Sequence, residues 1–265
     1  MGEDGLAGYE RETVTLDGRS REVLRRGSGP AVVVIAEIPG ITPAVLAFAD
    51  RVAALGCTAV LPSLFGDPGR AVSGPYLARS MAGACVSREF ATFATGRTSP
   101  VTSWLRALVR REHERCGGPG VGVVGMCLTG GFALAMMVEP AVVAPVMSQP
   151  SLPFPLTARH RRDVGVSDAD LRLAVERAEA ADLCVLALRF TGDRAVPAER
   201  FARLREVLGD RFVGVEIDSS PGNPHGLPRL AHSVLTEHLV DEPGHPTRDA
   251  LERVLDLFRE RLLTG

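Results

Sequence analysis

Short runs rich in valine, almost free of polar interruption, alternate along this chain with longer segments of helical spacing. A run such as Ala31–Ile38 is apolar at nearly every position, so a strand built from it must be buried on both faces. The alternation therefore predicts an α/β fold, a mostly parallel sheet with helices on both faces. Expected strands are Ala31–Ile38, Thr58–Leu61, Val121–Met126, Ala141–Met147, Leu183–Phe190 and Phe212–Ile217, after a leading hairpin of Thr13–Leu16 and Glu22–Arg25. Expected helices are Pro43–Leu55, Val101–Arg115, Leu128–Val138, Asp168–Ala181, Pro197–Leu208 and Thr247–Leu263. Between Pro62 and Pro100 the periodicity fades and Gly, Pro and Ser accumulate, which predicts a lid-like excursion over the surface. Ser148–Arg162 carries three prolines and no clear period.

Composition narrows the chemistry. The 265 residues are expected to form one domain, because α/β folds often fill such a length around one core. All 30 basic residues are arginine, which closes every mechanism that needs a lysine amine, Schiff bases and P-loops included. A net charge of −2 and an aromatic content of 5% argue against nucleic acid as a partner. No apolar run reaches the roughly 18 residues of a membrane span, and Met1–Glu10 is acidic where a signal peptide would be basic. The five cysteines, at 57, 85, 116, 127 and 184, are odd in number and form no Cys-x-x-Cys pair. Neither a disulfide framework nor a zinc site is expected, no cofactor is called for, and a reducing cytoplasm suits the thiols.

One segment carries chemistry. In Val121-Gly122-Val123-Val124-Gly125-Met126-Cys127-Leu128-Thr129-Gly130-Gly131 a buried strand meets a helix with cysteine at the joint, the form of a nucleophile elbow. Such a turn strains the backbone of its central residue, so small neighbours must let the chain bend, and Gly125 and Gly130-Gly131 supply them. The sulfur then projects above the sheet beside the N–H groups of a new helix, which favour thiolate and oxyanion alike. Gly120-x-Gly122-x-x-Gly125 matches a dinucleotide fingerprint in letters only, because it forms the strand where that motif must follow one. Cys57, Cys85, Cys116 and Cys184 lack such a setting and are expected to pack.

A cysteine nucleophile needs a base and the base an orienting acid. Asp193 follows the strand Leu183–Phe190, at the carboxyl edge where active-site loops belong, and is favoured as the acid over the alternative of a cap for the helix near Pro197. His225 and His232 both lie on the long loop after the last strand, and His232 is the favoured base. His238 and His245 are expected at the surface, His113 on a polar helix and His160 in an arginine-rich loop.

Four separated segments resemble the dienelactone hydrolase family of α/β-hydrolases: Ala36-Glu37-Ile38-Pro39-Gly40-Ile41, Gly125-Met126-Cys127-Leu128, Gly192-Asp193 with Val196-Pro197, and His232-Ser233. The resemblance implies an α/β-hydrolase fold with Cys127 as nucleophile, His232 as base, Asp193 as its orienter, and the N–H groups of Ile38 and Leu128 as oxyanion hole. It implies that Glu37 contacts the resting thiol and that an arginine grips a carboxylate on a lactone substrate, Arg88 being placed for this with Arg79 and Arg97 as rivals. Two positions depart from the family pattern: Thr236 stands where it has a second arginine, and Thr129 where it usually has glycine. The implied activity is hydrolysis of a lactone or activated ester, carboxylated or neutral, through a thioester. Two other readings fit a cysteine on an elbow, namely a DJ-1-like or amidotransferase-like enzyme and a hydrolase-like scaffold that binds a small molecule or senses oxidants.

Overall fold

The computed structural model describes residues 4–86, 89–90 and 93–264. In the strand β3 (Ala31–Ile35), Val33 and Ile35 enter one apolar cluster while Val32 and Val34 enter another. That two-residue alternation, with every side chain buried, is what a central strand between two helical layers requires. The hairpin of β1 (Glu10–Leu16) and β2 (Arg19–Gly27) starts an eight-stranded sheet of order β1-β2-β4-β3-β5-β6-β7-β8. β2 meets β4 (Thr58–Pro62) antiparallel, and all pairs from β4 onward are parallel, through β5 (Val121–Met126), β6 (Val142–Ser148), β7 (Val185–Phe190) and β8 (Phe212–Ile217).

Helices α1 (Pro43–Ala54) and α8 (Pro246–Phe258) cover the face that carries Val32 and Val34. The other face is covered by α3 (Val101–Cys116), α4 (Gly130–Met136), α6 (Asp168–Ala180) and α7 (Ala198–Leu208). No helix among the described residues is long and apolar enough to cross a membrane.

The elements differ from expectation mostly at their ends. β3 stops at Ile35, leaving Glu37 in the turn that follows, since Pro39 cannot donate to a ladder. The elbow helix begins as a 3₁₀ turn, Cys127–Thr129, before α4 proper, and the last helix ends in a wider π turn over Arg259–Leu263. Within the excursion from Pro62 to Pro100 lies a helix the periodicity did not reveal, α2 (Gly74–Val86). Only Tyr76 and Ala84 of it are deeply buried among its described side chains, too sparse a stripe to register as amphipathic. A short helix, α5 (Ala158–Arg162), also interrupts the stretch expected to be irregular, its N-terminus capped by Thr157.

A buried ion pair ties the hairpin to α3. Arg25 donates to both Glu112 oxygens, at 2.8 and 2.6 Å, with both side chains almost wholly removed from water.

Candidate active site

β5 delivers Cys127 to the carboxyl edge of the sheet with φ +56°, in the left-handed region that a side chain normally avoids. Three neighbours hold this strained residue in place. A Cβ on Gly125 would collide with the Thr129 carbonyl, and one on Gly130 with the Pro150 backbone. Thr129 is the third: its buried hydroxyl accepts the Met126 N–H at 2.8 Å and lies 2.8 Å from the carbonyls of both Ile35 and Met126. The departure from glycine at this position thus ties the elbow to the end of β3.

The Cys127 sulfur, in a side chain only 7% exposed, sits 3.4 Å from Ser151 Oγ. The sulfur, a His232 ring nitrogen and a Glu37 carboxylate oxygen all lie within 4.8 Å of one another. On its other side, His232 Nδ1 is 2.6 Å from Asp193 Oδ2. Asp193 also accepts the Ala195 N–H through Oδ1 at 2.9 Å, so it both orients the imidazole and stabilises the turn before α7. Burial pulls the His232 pKa down, but the neighbouring Cys127 charge and the hydrogen bonds to Asp193 and Cys127 outweigh it and raise it well above the ordinary value.

His225 does not line this cavity; its ring packs edge-on against His245 with centroids 5.3 Å apart. The two histidines expected at the surface are not there. His238 is half-buried, and its Nδ1 accepts the N–H groups of His232 and Ser233 at 3.4 and 3.2 Å, bracing the loop that carries the base candidate. Burial, with the nearby His232 charge, lowers its pKa, which keeps that nitrogen an acceptor. His245 is buried because its Nδ1 caps α8, accepting the Thr247 N–H at 3.3 Å.

Glu37 is buried and held by neutral donors. Its Oε2 accepts from Ser233 Oγ at 2.6 Å and from Gln149 Nε2 at 3.2 Å, and its Oε1 accepts from Thr236 Oγ1. None of the hydrogen bonds among the described residues joins it to the sulfur, in contrast to the resting-thiol contact the resemblance implies. Thr236, where the family has an arginine, is spent on this carboxylate. Gln149 is a residue the motifs missed. Fully buried at the end of β6 with φ +35°, it also accepts the Val234 N–H at 3.3 Å and so joins Glu37 to the His232 loop. The one available signal was the polar Ser148-Gln149-Pro150-Ser151 directly after a buried strand, at the functional edge of the sheet.

These groups open on a cavity of about 570 Å³, which Ile38 and Leu128 line beside Cys127. Arg88 lies outside the described residues. Arg79 turns to Asp67, 3.8 Å away, and to the Tyr76 ring. Cys57, Cys116 and Cys184 are free thiols, as is Cys127, and burial pushes the Cys57 thiol up to about 11, which leaves it inert at neutral pH. Sulfur, imidazole and carboxylate together are also a donor set that suits a thiophilic divalent cation.

The sequence and the fold match known proteins. The model of the dienelactone hydrolase family matches residues 21–262. Among solved structures, a provisionally described dienelactone hydrolase from Klebsiella pneumoniae subsp. pneumoniae superposes with TM-score 0.64 at 18% identity, covering 95% of this chain and 98% of that one. A dienelactone hydrolase-like promiscuous phosphotriesterase from metagenomic libraries gives 0.61 at 17%, covering 96% and 98%. The dienelactone hydrolase of Anabaena variabilis gives 0.57 at 15%, covering 96% and 99%. No curated protein matches the sequence significantly. With the family model spanning nearly its whole length, the chain belongs to the dienelactone hydrolase family and has the α/β-hydrolase fold of its structural neighbours.

Proposed function

We propose that this hydrolase cleaves carboxylic esters or lactones through Cys127, His232 and Asp193, by way of a thioester on the sulfur. The observation that carries the reading is the strained Cys127 in the wall of the cavity, within 4.8 Å of an imidazole whose far nitrogen is bonded to a buried aspartate. The protein is a small-molecule enzyme in this reading, and its free thiols suit a reducing compartment such as the cytoplasm.

The charge on the sulfur is the first of the influences that raise the His232 pKa, and this gives the cycle its direction. During attack, thiolate and imidazolium support each other. The thiolate attacks the carbonyl carbon, and the N–H groups of Ile38 and Leu128 receive the oxyanion, each such donor contributing about 3 kcal/mol of barrier reduction. Once sulfur has bonded to the carbonyl carbon its negative charge is gone, so His232 turns more acidic and protonates the alkoxide as the tetrahedral adduct collapses to the thioester. The now neutral ring, held by Asp193, takes a proton from water, whose hydroxide attacks the thioester. Collapse returns the thiolate and releases the carboxylic acid, while His232 retains its proton.

Cys127→Ala should abolish turnover of p-nitrophenyl esters without altering the melting temperature by more than about 2 °C, since volume changes little at this cavity-lining site. Activity within a few fold of the parent would remove the cysteine from the mechanism.

A further inference from the structure

The family resemblance implies a carboxylated substrate, but the chemistry of this cavity points elsewhere. Its mouth is formed by Val72, Leu77 and Leu230, exposed by 41, 38 and 71%, and the lining surface is almost wholly hydrocarbon. Large apolar side chains left this open to water around a cavity are the mark of an apolar ligand site. The fixed charges on the wall have the wrong sign for an anion. Glu37 lies buried at the sulfur, and Glu237, exposed at the rim and accepting from Thr42 Oγ1 at 3.3 Å, is a second wall carboxylate. Thr236 does not supply the cation of the family pattern, because its hydroxyl serves Glu37. Among the described residues lining the cavity, Arg194 is the one arginine; it is exposed at the rim, as Glu237 is, which leaves the buried Glu37 as the carboxylate least screened by water, and the chain has no lysine.

We propose that the cavity selects uncharged, hydrophobic esters and lactones, and that Glu237 is a specificity residue that disfavours substrates bearing a carboxylate. This rests on the ester-hydrolase reading above and narrows it. A carboxylate carried into the hydrocarbon lining gives up hydration without a partner and meets two like charges.

The test compares p-nitrophenyl hexanoate with mono-p-nitrophenyl adipate at pH 8, two esters of equal chain length that differ by a terminal carboxylate. The hexanoate should have the higher kcat/KM by on the order of 100-fold. Glu237→Gln should shrink that ratio at least fivefold, mainly by raising the adipate rate, and Arg88→Ala should leave it unchanged. An adipate rate within threefold of the hexanoate rate, or a dependence of the adipate rate on Arg88, would overturn the proposal. A second measurement needs no turnover: alkylation of Cys127 by iodoacetamide and by iodoacetate, with the ratio of rates compared with that of glutathione. The cavity should raise the ratio in favour of the neutral reagent at least tenfold, and a ratio equal to that of glutathione would refute the selection. If neither ester is turned over, the hydrolase reading fails on its own account while the alkylation ratio still decides whether the cavity rejects anions.

Discussion

Replacing Asp193 by asparagine isolates what one carboxylate does for the mechanism. The side chain keeps its size, and the 2.6 Å contact with His232 Nδ1 can persist as a neutral hydrogen bond, but the charge that supports an imidazolium is lost. A charge-assisted bond contributes about 1.5–3 kcal/mol and a neutral one about 0.5–1.5, so the substitution forfeits roughly 1.5 kcal/mol, or about tenfold. The same energy is about one unit of His232 pKa. The direction follows from the raised value in the parent: the ring holds its proton to higher pH than a free imidazole, and Asp193→Asn releases it earlier. Because deacylation needs the neutral ring, the rising limb of kcat against pH should move about one unit toward acid while kcat/KM at neutral pH falls about tenfold. Stopped-flow kinetics on p-nitrophenyl hexanoate from pH 5 to 10 would measure both. An unmoved limb with rates within twofold would refute the orienting role. A loss near 10⁴-fold, the size found where the wrong imidazole tautomer blocks the base, would show that Asp193 does more than this energy allows.

Other substitutions probe separate parts of the account. His232→Ala should lose ester turnover at least 100-fold while His225→Ala keeps it within twofold, a contrast read directly in steady-state assays, and equal effects would reopen the assignment of the base. Gly125→Ala drives a Cβ into the Thr129 carbonyl, so Cys127 should alkylate at least tenfold more slowly in a folded protein as judged by circular dichroism; parent-like alkylation would mean the elbow tolerates the bulk. Gln149→Met removes a donor from Glu37 and leaves the buried Val234 N–H without its acceptor, which should cost about 1–3 kcal/mol and lower the melting temperature by several degrees. Glu112→Gln leaves Arg25 with the part-exposed Glu12, 2.9 Å away, as its remaining charged partner, so it should cost about 2 kcal/mol by urea titration with ester kinetics unchanged; a cost below about 0.5 kcal/mol would show the Arg25–Glu112 pair to be energetically idle.

The legible parts of this protein were those fixed by local pattern. Ala31–Ile35 and Val121–Met126 announced a parallel sheet because every position had to be apolar, and Gly125-Met126-Cys127 announced an elbow because few other turns need that arrangement. α2 escaped because its stability comes from packing of a few residues, Tyr76 and Ala84 among them, and not from a regular stripe. The surroundings of Glu37 escaped for a different reason. Gln149, Ser233 and Thr236 come from two distant loops and meet only through the sheet, so their common partner is a property of the fold and of no segment. His238 and His245 read as surface residues because they lie farther along the chain than the base candidates, with His245 just before Pro246, whereas the imidazoles act as local caps on backbone N–H groups.

The central claim is that the Cys127 sulfur takes the acyl group. Rapid quenching of the enzyme with p-nitrophenyl hexanoate in acid, within the first turnover, followed by peptide mass spectrometry, should find the hexanoyl mass on the peptide containing Cys127, formed at the rate of the p-nitrophenol burst and absent from Cys127→Ala. An acyl group on Ser151 or any other residue, or steady turnover with the Cys127 peptide unmodified throughout, would contradict it.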